Sequence, residues 1–213
     1  MTYLARLILL SSLVLLYPSP LSAQSSMLEV EQRLADLGYW LIKVDGKVDA
    51  STRHAIAAFQ KVEGLKRTGA MNAAVEERLQ IAVRPAAREP AAGKHVEVDI
   101  SRQVLFLTDE AGVVIRVLPV SSGNEKPYYE KGQRQMAHTP RGRFTVTRQI
   151  RGVRQAPLGA LYYPSYFYAG VAIHGSNSIP LYPASHGCVR VPRFADKELQ
   201  AMLEIGTPVL VYD

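Results

Sequence analysis

The spacing of apolar residues changes once along this 213-residue chain, and that change sets the fold class. Up to Gln80 apolar side chains recur at helical spacing, and from His95 onward they alternate residue by residue. Leu28, Leu34 and Leu37 outline a first helix, with Gly38 where helices commonly end. The step Asp45-Gly46 favours a turn. Asp49 or Ser51 suits the cap of a second helix carrying Ala55, Ile56 and Phe59, which ends near Gly64. Another turn at Thr68-Gly69 precedes a third helix, capped by Asn72 and running through Leu79.

Residues 84–93 carry two prolines, a glycine and several alanines with no apolar period, so 81–95 read as a linker of moderate stiffness. Beyond it, Val96 to Ile100, Val104 to Leu107, Val113 to Val120, Phe144 to Thr147, Tyr166 to Tyr168, Val171 to Ile173 and Val209 to Val211 read as strands. One late segment reads as a helix, beginning at Pro192 with Leu199, Met202 and Leu203 on its apolar face. The expected fold class is α+β and multidomain. A small three-helix domain (27–80) precedes a mainly-β sandwich or barrel-like domain (96–213).

The N-terminus and the charge narrow the compartment. Arg6 precedes the apolar run Leu7 to Leu16, about half the length that spans a bilayer, and Pro18 and Pro20 follow it. Residues 1–23 therefore read as a secretory signal peptide cut after Ala23, leaving no stable membrane span. The formal charge is +6, and removal of residues 1–23 takes away Arg6 and no acid. An exported basic protein meets anionic envelope polymers rather than nucleic acid. Arg134, Arg141, Arg143, Arg148, Arg151 and Arg154 crowd one stretch without an acid between them. They read either as a solvated edge or as a face for anionic wall material.

Chemistry concentrates in Ser185-His186-Gly187-Cys188-Val189-Arg190, which holds the one cysteine of the chain. A second pair, His174-Gly175, lies fourteen positions before that cysteine at the end of an apolar run. A lone cysteine in an exported chain forms no internal disulfide, and its polar, glycine-flanked setting suits a nucleophile better than a core position. Gly187 leaves the amides of Gly187 and Cys188 free for an oxyanion, and Arg190 suits a substrate carboxylate. Ser185 suits hydrogen bonding within the motif. His138, Tyr162, Tyr163 and Tyr182 are candidates for the rim. No zinc-type spacing links His174, His186 and Cys188, so neither a metal nor another cofactor is expected.

Two resemblances follow from these residues. Leu34 to Tyr39, Asp45 to Asp49, Thr52 to Gln60, and Leu65 with Thr68-Gly69 resemble the peptidoglycan-binding type 1 domain. That implies binding of glycan or stem peptide, with Tyr39 and Trp40 either stacking on sugar or buried. Ile173-His174-Gly175 with the hexapeptide Ser185 to Arg190 resembles the catalytic signature of the L,D-transpeptidase (YkuD-type) family. The likeness extends over Val96 to Asp213, including the Thr139-Pro140-Arg141-Gly142 turn.

This resemblance implies Cys188 as nucleophile and His174 as base, with Gly187, Gly175 and His186 at the oxyanion or orienting the ring. It gives Arg190 and Ser185 to substrate positioning. It further implies 3→3 cross-linking of peptidoglycan stems in the periplasm or cell wall, and acylation by carbapenems. Water or a protein amine as acceptor gives the alternatives, and a non-catalytic wall-binding protein is a third. Two departures stand out: Arg193 where many members have asparagine, and a short interval between His174 and Cys188.

Overall fold

A computed structural model describes residues 25–213; the signal-peptide reading of 1–23 lies outside the described residues. Three helices come first: α1 (Met27–Asp36), α2 (Ala50–Val62) and α3 (Ala73–Ile81). Ser26 caps α1 in a reciprocal capping box with Glu29, Asp49 caps α2 through Thr52, and Asn72 caps α3. Gly38, just past α1, takes φ 93, a value that glycine reaches without strain. Leu28 is 49% exposed, and the α1 core residues are Val30 and Leu34, with Leu37 at its cap.

A short 3-10 helix (Pro90–Ala92), twelve strands and one further α-helix follow. The first five strands are β1 (Val96–Asp99), β2 (Val104–Thr108), β3 (Val114–Pro119), β4 (Pro127–Glu130) and β5 (Gln133–Met136). Next come β6 (Gly142–Thr145), β7 (Arg148–Gln149), β8 (Val153–Ala156), β9 (Gly159–Tyr168) and β10 (Val171–Ser176). The chain closes with β11 (Val189–Pro192), α4 (Asp196–Met202) and β12 (Pro208–Tyr212). Pro192 thus ends a strand, and the last helix starts at Asp196 because Pro192, Arg193 and Phe194 finish the strand and turn the chain first.

One sheet runs β3-β2-β1-β12-β6, and a second runs β11-β10-β9-β7 with β8 also on β9. Both remain open, so the domain is a sandwich rather than a closed barrel. Its core joins Val96, Val98, Leu105 and Leu107 of the first sheet to Ile173, Val189 and Val191 of the second. The hairpin β4-β5 stands apart, with β5 exposed along its whole length.

Strand β2 is buried on both faces. Leu105 and Leu107 face the sandwich core, while Val104 and Phe106 join Ile56, Phe59 and Leu34 in a second core under the helices. Tyr39 is buried in this second core and Trp40 in the sandwich core, so neither ring is free to stack on a sugar. Backbone bonds complete the docking: Trp40 N–H donates to Val117 O (3.1 Å) and Val117 N–H to Gly38 O (2.8 Å). Residues 84–97 run along the same surface. The buried Glu97 carboxylate accepts the N–H groups of Arg88 and Glu89, each at 2.8 Å.

Candidate active site

Strand pairing brings the chemistry together. β10 and β11 run parallel with Ile173 opposite Val189 and His174 opposite Arg190. Opposed residues share a face, so His174 and Arg190 lie on one side, and Cys188 immediately precedes β11. Ile173, Val189 and Val191 lie on the other, in the core. The shared side floors a cleft of about 630 Å³ that Cys188, His174 and Arg190 all line. His138 and Tyr162 line it as well, whereas Tyr182 lies outside it.

The turn before β11 is held by a mesh of short bonds. Ser185 is 1% exposed, and its hydroxyl donates to Cys188 O (2.5 Å) while accepting from Gly187 N–H (3.0 Å). Its one O–H is used within the turn, so Ser185 braces the motif, as expected from its sequence, while the residue also lines the cleft. For the same reason the Gly187 amide is not free for an oxyanion, and Cys188 N–H is the motif's other candidate donor. Gly187 has φ 139, and a Cβ there would come 2.9 Å from His138 O. Thr139, unassigned from sequence beyond its turn, donates to Gly187 O (2.7 Å) and accepts from Gly123 N–H (2.9 Å). Ser122 O accepts from Ser185 N–H (2.8 Å) and from Ala184 N–H (3.0 Å).

His186 is exposed, and its ring meets Tyr128 of β4 edge-on at 4.7 Å. Neither ring nitrogen hydrogen-bonds within the motif among the described residues. The expected orienting bond is therefore replaced by an aromatic contact with the hairpin.

His174 is 6% exposed, and its Nδ1 hydrogen-bonds to Gly175 O at 2.8 Å. A carbonyl only accepts, so Nδ1 carries the proton and Nε2 keeps its lone pair. Burial pushes the imidazole down to about 4, the Gly175 bond opposing and the Arg190 charge adding. Burial pushes the Cys188 thiol up, against a backbone bond from Ala172 and the Arg190 charge. The pair therefore rests as neutral thiol and neutral imidazole. Arg190 is half-buried and pairs with no carboxylate among the described residues.

Gly175 is required by close approach. A Cβ there would lie 2.2 Å from Asp196 Oδ2 and 2.5 Å from Asp196 Cβ. Asp196 is itself held by Arg193 Nε at 2.7 Å, and the Arg193 guanidinium lies 3.4 Å from the centre of the Tyr162 ring. Arg193, at the position of the missing asparagine, thus supports the strand end that carries His174. Gly175→Ala is expected to cost about 1–3 kcal/mol by overpacking and to slow reaction at Cys188 as the His174 ring shifts. Urea unfolding and a thiol-acylation rate check this; an unchanged midpoint and rate would contradict it.

A thiol, a buried imidazole and an unpaired guanidinium that line one open cleft are the groups that acyl transfer uses. Sequence and structure comparisons point the same way. The family model described as L,D-transpeptidase catalytic domain matches residues 93–211, and a peptidoglycan binding domain model matches 24–79. An L,D-transpeptidase (residues 123–326) of Xylanimonas cellulosilytica superposes with a TM-score of 0.83 at 41% identity, covering 92% of this chain and 100% of that one. An L,D-transpeptidase of Stackebrandtia nassauensis gives 0.50 at 25% identity, covering 90% of this chain and 92% of that one. No curated protein sequence matches the chain. The chain belongs to the L,D-transpeptidase family.

Proposed function

We propose that this protein is an exported peptidoglycan L,D-transpeptidase working through a Cys188 acyl-enzyme. The observation that carries the reading is that Cys188, His174 and Arg190 line one cleft, with His174 and Arg190 opposed across β10 and β11. Cys188 attacks the carbonyl at the L-centre of the diamino acid in a tetrapeptide stem while His174 Nε2 takes the thiol proton. The tetrahedral intermediate collapses with loss of the terminal D-alanine, whose amine receives that proton. An amine of a neighbouring stem then attacks the thioester, giving a 3→3 cross-link and returning the thiol. Arg190 suits a carboxylate of the stem, and the helical module suits retention on the wall. Among the described residues no helix is long and apolar enough to cross a membrane.

Mass spectrometry of products from purified protein and disaccharide-tetrapeptides tests this. A cross-linked dimer supports transpeptidation. A tripeptide alone would favour an L,D-carboxypeptidase, a stem linked to a protein amine would favour attachment, and no product would favour a non-catalytic wall-binding protein. The family further implies acylation of Cys188 by carbapenems.

The protonation states predict an unusual pH profile. With His174 held down to about 4 and the thiol pushed up, the reactive neutral pair persists across the neutral range. The acylation rate should stay level from neutral pH to about pH 5 and fall as pH drops through the His174 value. An acid limb centred near 6.5, the ordinary imidazole value, would contradict this.

A further inference from the structure

The arginine-rich stretch divides by partner. Arg141 is paired with Glu125 (2.8 Å) and Asp213 (2.9 Å), and Arg143 with Glu89. Arg148 and Arg154 have no carboxylate partner among the described residues, and both line the cleft that holds Cys188. Their guanidinium carbons lie 4.0 Å and 5.7 Å from the centre of the Tyr166 ring, which is itself buried at 5% exposure. The backbone sets this arrangement. Arg148 pairs with Tyr166 across β7 and β9, and Arg154 pairs with Leu161 across β8 and β9. Between these pairings Tyr163 takes φ 49, a left-handed kink in β9, and its N–H donates to Gly152 O (2.7 Å). With Arg190, three guanidinium groups line the cleft against one carboxylate, Glu130.

We propose that Arg148, over the Tyr166 ring, and Arg154, at the same ring's margin, form a carboxylate-binding subsite that selects stem peptides with free carboxylates over amidated ones. It rests on the reading of this cleft as the place where Cys188 meets a stem peptide. A guanidinium stacked on a ring keeps its N–H fork at the exposed edge, where a carboxylate accepts two bonds in one plane. A carboxamide offers a single acceptor and turns its own N–H₂ toward donors. The two strands carrying the arginines are fixed to the same neighbour, so little ordering is needed on binding.

The test compares a disaccharide-tetrapeptide with free carboxylates and the same donor amidated beside the scissile bond. The readout is the ratio of their kcat/KM values within each protein, which does not depend on the folded fraction. The wild type should prefer the free donor by about tenfold or more, and Arg148→Gln with Arg154→Gln should bring the ratio close to one. A wild-type ratio near one, or a full ratio kept by the double variant, would overturn the subsite while leaving transpeptidation intact. No turnover of either donor by the wild type would overturn the acyl-transfer reading, and the subsite with it.

Discussion

Cys188→Ala should lower turnover of a tetrapeptide donor by a factor on the order of 10⁴ or more, because the bond-forming atom is gone. The fold should persist. Cys188 is partly exposed, and its sulfur makes only weak contacts, a backbone bond from Ala172 and a long one to Gly170 O at 3.9 Å, so the stability change should stay within about 1 kcal/mol. Cys188→Ser should be nearly as inactive. An imidazole held down to about 4 is too weak a base to activate a hydroxyl, whereas a thiol is far more acidic. Steady-state release of D-alanine, measured beside urea unfolding, separates lost chemistry from lost fold. Retained release by the alanine variant would remove Cys188 from the reaction.

The second large effect falls on stability, at Lys61. This α2 residue is 1% exposed, and its Nζ donates to Gln103 O (3.1 Å) and Val120 O (2.9 Å) on the β-domain. Burial, with the Arg67 charge adding, pushes its pKa down to about 7. In the unfolded chain a lysine titrates near 10.4, so between pH 7 and 10 the unfolded state binds more protons than the folded one. Lys61 should therefore make stability rise with pH across that window, by about 1.4 kcal/mol per unit at most, and its own contribution levels off below 7. Above pH 10 the trend reverses, because Tyr39 and Tyr212 are both pushed up by burial. Lys61→Met keeps the apolar stem and should abolish the rise. Lys61→Ala also leaves a cavity and should cost about 3 kcal/mol or more. Urea unfolding at pH 7, 8 and 9 reads both; a rise that survives Lys61→Met would assign it elsewhere.

The change of apolar period marks the two modules, and the caps at Asp49 and Asn72 follow from local chemistry legible in sequence. Docking of the modules was harder to see, since it depends on which strand face meets which helix. Its signal was the unbroken run Val104 to Leu107, which strands show when both faces are covered. At the site, Cys188, His174 and Arg190 stand out by residue type and spacing. Ser185's bond within the motif was expected as well, whereas the contacts of Gly187 and His186 were not, because they are set by a turn geometry and a nonlocal partner: Ser185 Oγ and the Tyr128 ring. The bonds of Thr139 and the place of Arg154 in the cleft were hidden for the same reason, since sequence distance conceals contacts across the fold.

The central claim is that Cys188 carries the acyl group. Rapid quenching of the protein with a disaccharide-tetrapeptide donor, followed by intact mass and peptide mapping, tests it most directly. The expected result is a mass gain equal to the donor less D-alanine, confined to the peptide containing Cys188 and absent from Cys188→Ala. Cross-linked product formed with no adduct at Cys188, and formed equally by Cys188→Ala, would contradict it.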